Sequence, residues 1–523
     1  MATNLQMAAQ KIISVNPATG AVLRELCCAS DTEVCDAVSR AHAAQVAWCA
    51  LGVRKRVAML RKFQRSLVVN KSGIAAAITR EAGKPRAEAL TTEVLVVLDA
   101  ARFLIENAGR LLRDEKIPHG NLAMKLKRGY ILREPFGVVA IISPWNYPFS
   151  IPATEALAAL VAGNAVVLKP SELTPLVALE LARLLHESGV PRDVFQVVVG
   201  EGSTGAALLR SPIDKLVFTG SVATGKRIAA AAAERLLPVV LELGGKDPML
   251  VLDDADVDIA SSAAVWGAFV NAGQTCLSVE RCYVHRSLYE PFLEACTGKT
   301  KKLRIGRGDD PDTDVGPMIH ERQLRTVEAH VEDAKTRGAR VLAGGSRLRT
   351  LGPNFYAPTV LADVTREMRI MREETFGPVL PVAAFDDDDE AVLLANASEY
   401  GLAASIFTRD SARGMRLARR IQAGTVMVND VVSCFGISEA PHGGVKSSGV
   451  GRTHGRFGLD GMVRLKYVDS DLMPAMKKVW WYGYGMKFSQ QMEGFLDMQF
   501  ARGLGERMRG AFRAAGALIR KRL

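Results

Sequence analysis

Cysteine is scarce in this chain, with eight among 523 residues. The eight are scattered, and no apolar stretch near Met1 resembles a secretory signal, which argues against a secreted protein held by disulfides. None of the histidines pairs with a cysteine at zinc-site spacing, and the gap from Cys276 to Cys282 is also wrong for zinc. We therefore expect a cytoplasmic protein and predict no metal site.

The sequence also lacks an uninterrupted apolar run of membrane-spanning length. Residues 137–168 come nearest, because Glu155 is their only formally charged residue. Three prolines, Pro144, Pro148 and Pro152, break any continuous helix there. This segment is better interpreted as a strand, a loop, a helix and a second strand.

Neither a strongly apolar nor a strongly charged composition is present. Hydrophobic residues make up 48% and charged residues 24%, as in ordinary globular proteins. The length exceeds one compact core, so we expect two or three domains. The net charge of +11 is concentrated near the C-terminus, since Ser470 to Leu523 contains ten Lys or Arg against four acids.

Runs of Val, Ile and Leu alternate with helical stretches through the middle of the chain. Five such runs are GVVAIIS, NAVVLK, VFQVVV, KLVFTG and PVVLEL, and helices are predicted near 174–188, 201–210 and 221–235. This alternation predicts a doubly wound α/β domain, whose ligands bind beyond the carboxyl ends of its strands. A second strand-helix series after Glu242 predicts another α/β domain, facing the first across a cleft. The acidic run Asp386 to Asp389 is predicted to cap a helix, with a calcium site as the alternative.

Two segments suit an anionic cofactor, although the first of them is not the GxGxxG fingerprint of dinucleotide-binding domains. VFTGSVATG, residues 217–225, leads from a strand through Gly220 and Ser221 into a helix, whose N-terminus favours an anion. In VVLKPSELTP, Lys169 and Glu172 follow another strand. They are placed either to hold ribose hydroxyls or simply to begin a helix capped by Ser171.

Two further residues suit catalysis. Glu242 ends an apolar strand before two glycines, where desolvation raises a carboxyl pKa toward that of a general base. Cys276 follows the small residues of NAGQTC, which leaves room for oxyanion donors near a reactive thiol. Because a buried, inert cysteine is the ordinary case, the combination of residues must decide.

The ordered motifs SPWNYPF, GNAVVLKPSELTP, FTGSVATGK, LELGGKDP, NAGQTC, EETFGPV and GGVKSSGVGR resemble those of the NAD(P)-dependent aldehyde dehydrogenase superfamily, from about residue 12 to 468. The resemblance implies that Cys276 is the nucleophile, that Glu242 activates water, and that the Asn146 amide and the Cys276 backbone N–H hold the oxyanion. Cys282 is then a packing residue. The implied cofactor is NAD, with NADP possible, and its implied contacts are Trp145, Lys169, Glu172, Gly220, Ser221, Gly225, Glu374 and Phe376.

Three departures from the family pattern bear on mechanism and substrate. Glu155 stands where many members have a lysine, which argues against a proton relay through that lysine. Val270 and Thr154 stand where the succinate-semialdehyde branch commonly has arginines, so we expect an apolar or broad-specificity aldehyde. The alternatives are a succinate-semialdehyde dehydrogenase, an enzyme that passes the acyl group to coenzyme A, and a catalytically silent scaffold at membranes.

The resemblance also implies a domain plan. Residues 1–116 and 137–243 are expected to bind NAD(P), and 244–461 to carry the nucleophile. Strands in 117–136 and 462–469 are expected to form a homodimer or homotetramer. The basic, amphipathic extension 470–523 is predicted either to lie on a membrane surface or to pack on a neighbouring subunit. We expect no nucleic-acid partner, because no base-reading motif accompanies the charge.

Overall fold

A computed structural model describes residues 10–478 and 480–515. The chain forms two compact units. The first comprises the described parts of Met1–Arg113 and Arg133–Arg464, and the second those of Asp114–Leu132 and Leu465–Leu523.

The strands and helices follow one another in the alternation predicted for an α/β protein. The strands are β1 (Lys11–Val15), β2 (Val22–Cys27), β3 (Glu115–Ile117), β4 (Lys127–Pro135), β5 (Val138–Ile142), β6 (Ala165–Lys169), β7 (Phe195–Val197), β8 (Lys215–Thr219), β9 (Val239–Glu242), β10 (Asp247–Val251), β11 (Val279–His285), β12 (Arg340–Ala343), β13 (Thr359–Ala362), β14 (Val379–Phe385), β15 (Ala403–Phe407), β16 (Thr425–Val428), β17 (Gly449–Val450) and β18 (Val463–Asp471). The helices are α1 (Asp31–Ala50), α2 (Gly52–Ala82), α3 (Arg86–Glu88), α4 (Leu95–Leu111), α5 (Ser150–Ala162), α6 (Pro175–Glu187), α7 (Gly202–Arg210), α8 (Val222–Ala233), α9 (Val257–Phe269), α10 (Tyr289–Thr300), α11 (Glu321–Thr336), α12 (Asp388–Asn396), α13 (Ser411–Ala418), α14 (Gly455–Asp460), α15 (Met486–Phe500) and α16 (Leu504–Ala514).

The first large sheet of the first unit has the strand order β17-β9-β8-β5-β6-β7. Its strands are parallel except β17, which pairs antiparallel with β9. The chain runs outward from β5 to β7 on one side and returns through β8 to β9 on the other. The direction of winding therefore changes between β5 and β8, the position at which such sheets bind ligands beyond their carboxyl ends. The predicted doubly wound sheet is confirmed.

The second large sheet has the order β12-β13-β14-β11-β10-β15-β16, with only β12 antiparallel to its neighbour. Its central strands are almost wholly buried between helices, which explains their continuous apolar sequences. The predicted second α/β series is thus present. The exact domain boundaries given above stay predictions.

Two local predictions are confirmed. Residues 137–168 form β5, a loop, α5 and β6. Asp387 caps α12, accepting hydrogen bonds from the backbone N–H groups of Asp389 and Glu390. None of the described helices is both long and apolar enough to cross a membrane. Within the described residues no cluster of His, Cys, Asp and Glu is arranged to hold a metal ion.

The second unit contains a small sheet of order β18-β4-β3 and the helical pair α15 and α16. Both helices lie in the extension for which helical spacing was predicted, and its role stays a prediction. Its last basic residues, Arg520, Lys521 and Arg522, lie outside the described residues.

Candidate active site

Cys276 lies between a 3-10 turn, Val270–Gly273, and the start of β11. Its side chain is partly exposed and lines a cavity of about 240 Å³. One water occupies roughly 30 Å³, so the cavity has room for part of an organic substrate. Its walls are formed by Thr91, Thr92, Val96, Tyr147, Ile151, Trp266, Thr275, Cys276, Leu277, Val432, Ser433, Phe435 and Gly436.

Hydrogen bonds tie the Asn146 loop to the Cys276 loop. Asn146 Nδ2 donates to the Gln274 carbonyl at 3.0 Å, and Asn271 Nδ2 donates to the Asn146 carbonyl at 3.0 Å. The Tyr147 and Thr275 hydroxyls lie 2.8 Å apart. The buried Asn146 amide is therefore held beside the backbone that leads into Cys276.

A buried ion pair supports these loops from behind, and sequence analysis did not predict it. Lys84 Nζ donates to Glu93 Oε1 at 2.8 Å and lies 3.7 Å from the centroid of the Tyr147 ring. The other Glu93 oxygen accepts the backbone N–H groups of Phe149 and Ser150 at the start of α5. The pair therefore fixes the segment that follows Asn146.

Glu242 ends β9 in a buried position, as predicted. Neither of its carboxylate oxygens has a hydrogen-bond partner among the described residues, and His442 Nε2 lies 3.9 Å from Oε2. Burial raises the Glu242 pKa well above its usual range, the Glu155 carboxylate raises it further, and Arg452 opposes the shift. Burial also lowers the His442 pKa to about 3, so this imidazole is neutral near pH 7. Glu242 has the environment of a general base.

The Cys276 thiol shares that electrostatic environment. Burial, followed by the carboxylates of Asp247, Glu374 and Glu242, raises its pKa well above the usual range for cysteine. This shift favours the protonated thiol over the thiolate. A nearby base must take the proton before the sulfur can attack. Cys282, in contrast, is fully buried within β11, as expected of a packing residue.

Trp145 and Phe376, two of the predicted cofactor residues, contact one another. Their rings pack edge to face with centroids 5.5 Å apart, and the His320 ring lies 6.1 Å from Trp145. Gln323 donates through Nε2 to the carbonyls of Thr375 and Phe376, which joins α11 to this pair.

Glu374 approaches the glycine turn after β9. The Gly245 backbone N–H donates to Glu374 Oε1 at 3.0 Å, and a Cβ on Gly244 would lie 2.6 Å from the same oxygen. Glycine is therefore required for this carboxylate to come so close. Burial and the nearby Glu280 carboxylate raise the Glu374 pKa to about 8.

A second buried ion pair, again missed by sequence analysis, holds the loop of Glu374 and Phe376. Lys246 Nζ and Glu280 Oε2 are 2.5 Å apart, and Glu280 accepts the backbone N–H groups of Thr375 and Phe376 at 2.8 Å each. Phe376 has a positive φ of 51°, which this anchoring stabilises. The only local signal was the position of Lys246, directly after the glycine pair.

The remaining predicted cofactor residues lie at the carboxyl ends of β6 and β8. Lys169 ends β6 and pairs with Glu172 at 3.4 Å. Gly220 follows β8, and Ser221 caps α8 by accepting the Thr224 N–H.

Gly225 lies inside α8, where a Cβ would meet Leu243 at 2.5 Å. It therefore has a packing reason to be glycine, whether or not it contacts a ligand.

These residues suit an anionic dinucleotide. A helix N-terminus supplies N–H donors for phosphate, Lys169 supplies a cation, and buried Glu374 supplies an acceptor for hydroxyls. Trp145 and Phe376 supply aromatic surface.

The fold and site together are those of a nucleotide-cofactor oxidoreductase, with Cys276 as the candidate nucleophile. The Aldehyde dehydrogenase family model matches residues 5–468. The chain belongs to this family. It is an aldehyde dehydrogenase, an oxidoreductase that acts on an aldehyde with NAD or NADP as acceptor.

Relatives carry different substrate names. A 4,4'-diapolycopene aldehyde oxidase from Methylomonas sp is 41% identical over 489 residues, covering 93% of this chain and 91% of that protein. A putative succinate-semialdehyde dehydrogenase [NADP(+)] from Mycolicibacterium smegmatis is 40% identical over 453 residues, covering 86% of each chain. Among solved structures, the NAD+ complex of an aldehyde dehydrogenase from Bacillus cereus has a TM-score of 0.85 at 36% identity, covering 88% of this chain and 94% of that one.

Proposed function

We propose that this enzyme oxidises an apolar aldehyde to its carboxylic acid, with NAD preferred over NADP. The main support for this proposal is the cavity at Cys276, whose other wall residues are Thr, Ser, Gly, aliphatic and aromatic residues. No Lys, Arg or His is among the described residues that line it. A carboxylate on the far end of a substrate would lose its hydration there without gaining a cationic partner.

In the proposed mechanism, Cys276 passes its proton to a base and its sulfur bonds to the aldehyde carbon. The carbonyl electron pair moves to oxygen, where the Asn146 amide and the Cys276 backbone N–H stabilise the charge. NAD or NADP, when bound, would supply the hydride acceptor. Loss of hydride from the tetrahedral carbon re-forms the carbonyl and leaves a thioester on Cys276. Glu242 then takes a proton from a water molecule as the water oxygen attacks the thioester carbon. The carbon–sulfur bond breaks, which releases the carboxylic acid and the Cys276 sulfur.

The cofactor would be held by Trp145, Lys169, Glu172, Gly220, Ser221, Gly225, Glu374 and Phe376. Lys169 and Glu374 would contact the two riboses. NAD is preferred in this proposal because of Glu172, which pairs with Lys169. Its carboxylate would accept a hydrogen bond from a ribose 2′-hydroxyl but would repel a 2′-phosphate.

Succinate semialdehyde is the second candidate, favoured by the name of the Mycolicibacterium relative. Against it stand Val270 and Thr154, both buried and uncharged at the positions where that branch commonly has arginines. The name of the Methylomonas relative instead supports an apolar aldehyde.

Steady-state kinetics with decanal, benzaldehyde and succinate semialdehyde, each with NAD and NADP, test the proposal. We expect the highest kcat/KM for decanal with NAD. A higher kcat/KM for succinate semialdehyde would contradict the apolar substrate class. Adding coenzyme A tests the acylating alternative, which requires a thioester product in place of the acid. Cys276→Ala should abolish NADH formation while NAD still binds, and continued turnover would exclude Cys276 as the nucleophile.

We infer a cytoplasmic homodimer or homotetramer. Support comes from β18, an edge strand of the described sheet whose apolar Leu465 and Tyr467 side chains are exposed. Such an edge is a ready site for pairing with another chain. The eight free cysteines are consistent with a reducing compartment.

A further inference from the structure

Helix α16 exposes an apolar stripe. Leu504, Met508 and Phe512 recur every four residues, and 78%, 57% and 80% of their surfaces are exposed. At 100° per residue these three side chains share one face of the helix. Arg507 lies at one border of the stripe and Arg509 at the other. Long basic side chains beside apolar ones are typical of helices that lie in a membrane interface.

The contact between α15 and α16 is formed at two glycines, Gly494 and Gly510. A Cβ on Gly494 would lie 2.8 Å from the Gly510 carbonyl oxygen, and a Cβ on Gly510 would lie 2.6 Å from the Gly494 carbonyl oxygen. The helices thus approach closely at these glycines, and Phe495 of α15 is also buried, whereas Leu504, Met508 and Phe512 of α16 face outward.

The segment before α15 adds aromatic surface. Trp481, Tyr482 and Tyr484 are exposed. Amphipathic aromatic side chains of this kind prefer the boundary between headgroups and acyl chains.

The net charge of this segment indicates which kind of membrane surface it would bind. Between residues 470 and 515 the chain has seven Lys or Arg against four acids. A net positive segment is attracted to anionic headgroups and not to a second copy of itself.

We propose that α15, α16 and the preceding aromatic segment form a docking surface for an anionic phospholipid bilayer. The apolar stripe of α16 enters the interface, and the flanking arginines contact lipid phosphates. Neither helix crosses the bilayer, because 15 and 11 residues extend only about 22 and 16 Å, short of the roughly 30 Å hydrocarbon core. This proposal does not depend on the choice of aldehyde.

The Methylomonas alignment is consistent with a shared extension. The alignment covers 93% of this chain, which is more than the part that precedes residue 470. It therefore includes some of the residues after 469.

Vesicle flotation of the full-length protein tests the docking surface, with phosphatidylcholine vesicles compared with vesicles that also contain phosphatidylglycerol. We expect flotation with the anionic vesicles only, weakened by high sodium chloride. The variant Leu504→Ser, Met508→Ser, Phe512→Ser should lower partitioning at least about tenfold. Its matched control is Val69→Ser, Leu393→Ser, Met415→Ser, which changes residues of similar exposure, 81%, 62% and 54%, in the first unit.

NADH formation with a short, water-soluble aldehyde verifies that each variant is folded. Equal flotation of the stripe variant and the parent would overturn the proposal. Light scattering tests whether a second copy of the chain covers the α16 stripe instead. If the stripe variant has a lower oligomer mass than the parent and the parent does not float, the stripe is a subunit interface and the lipid proposal is wrong. Retention of the parent by DNA but not by anionic vesicles would likewise overturn the lipid assignment.

Discussion

Glu155 changes the charge beside the proposed base. A lysine at this position would stabilise the ionised form of Glu242, whereas the Glu155 carboxylate raises the Glu242 pKa. Burial raises the pKa of Glu155 itself to about 8, so the two carboxyl groups compete for protons above neutral pH. We expect the enzyme to work best under mildly alkaline conditions.

Glu155→Gln tests this competition. Removing a like charge lowers the Glu242 pKa, so Glu242 is ionised at lower pH and the acidic limb of the kcat–pH profile moves down by roughly one unit. Stopped-flow or steady-state NADH measurements from pH 6 to 10 give the profile. Glu180→Gln on the exposed face of α6 is the control and should leave the profile in place. A shift to higher pH would show that the two carboxylates do not repel one another.

Glu172 is predicted to determine cofactor preference. Glu172→Ser removes the carboxylate expected to repel a 2′-phosphate, so the ratio of kcat/KM for NADP to that for NAD should rise about tenfold or more. Steady-state kinetics with both cofactors measure the ratio. Glu187→Ser, at the last residue of α6, is the control and should leave the ratio unchanged. An unaltered ratio in Glu172→Ser would remove this residue from cofactor discrimination.

At the scale of elements, the sequence predicted those parts of the fold that depend on local pattern. Continuous apolar runs predicted β5, β6 and β8, and strand ends correctly placed Lys169 and Glu242 at one edge of the sheet. The predicted catalytic roles came from resemblance, since the small residues before Cys276 did not by themselves distinguish it from an inert cysteine.

The supporting elements could not be predicted, because their partners are distant in sequence. A π-helical turn at Ala89–Val94 places Glu93 at Lys84, while Glu88 in the preceding α3 accepts the Asn271 N–H. Hydrogen bonds in a π turn span one residue more than those of an α-helix. So short a turn leaves no distinct spacing of apolar residues by which the sequence could predict it. The Lys246–Glu280 pair likewise joins the loop before β10 to β11, 34 residues later in the sequence.

Lys246→Met tests the second of these pairs. It leaves Glu280 buried without its cation, so we expect a stability loss of about 3–5 kcal/mol in urea unfolding. The loop at Thr375 and Phe376 should also loosen, raising the KM for NAD several-fold. Lys299→Met is the matched control, because Lys299 pairs with the exposed Asp258 and such surface pairs contribute about 0–1 kcal/mol. Equal losses in both variants would contradict an anchoring role for Lys246.

At the scale of the whole molecule, the two large sheets contribute opposite ends to the site. The first supplies the residues after β5, β6, β8 and β9, at its carboxyl edge. The second supplies Cys276 before β11 and Glu374 before β14, at its amino edge. The general rule for doubly wound sheets predicted the first contribution only. The candidate nucleophile and the predicted cofactor residues are therefore joined by long-range packing within the first unit, which is why sequence spacing alone did not assemble them.

Assembly is predicted to use the exposed strand β18. Leu465→Asp places a charge in an apolar strand edge, which opposes pairing with another subunit, so the mass measured by light scattering should fall toward that of one 56.4 kDa chain. Val69→Asp, at an even more exposed apolar position on α2, is the control and should keep the parent mass. If β18 forms the interface, dilution should dissociate the Leu465→Asp protein at far higher concentrations than the control. If both variants keep the parent mass at every concentration, subunits associate through another surface and β18 is a free edge.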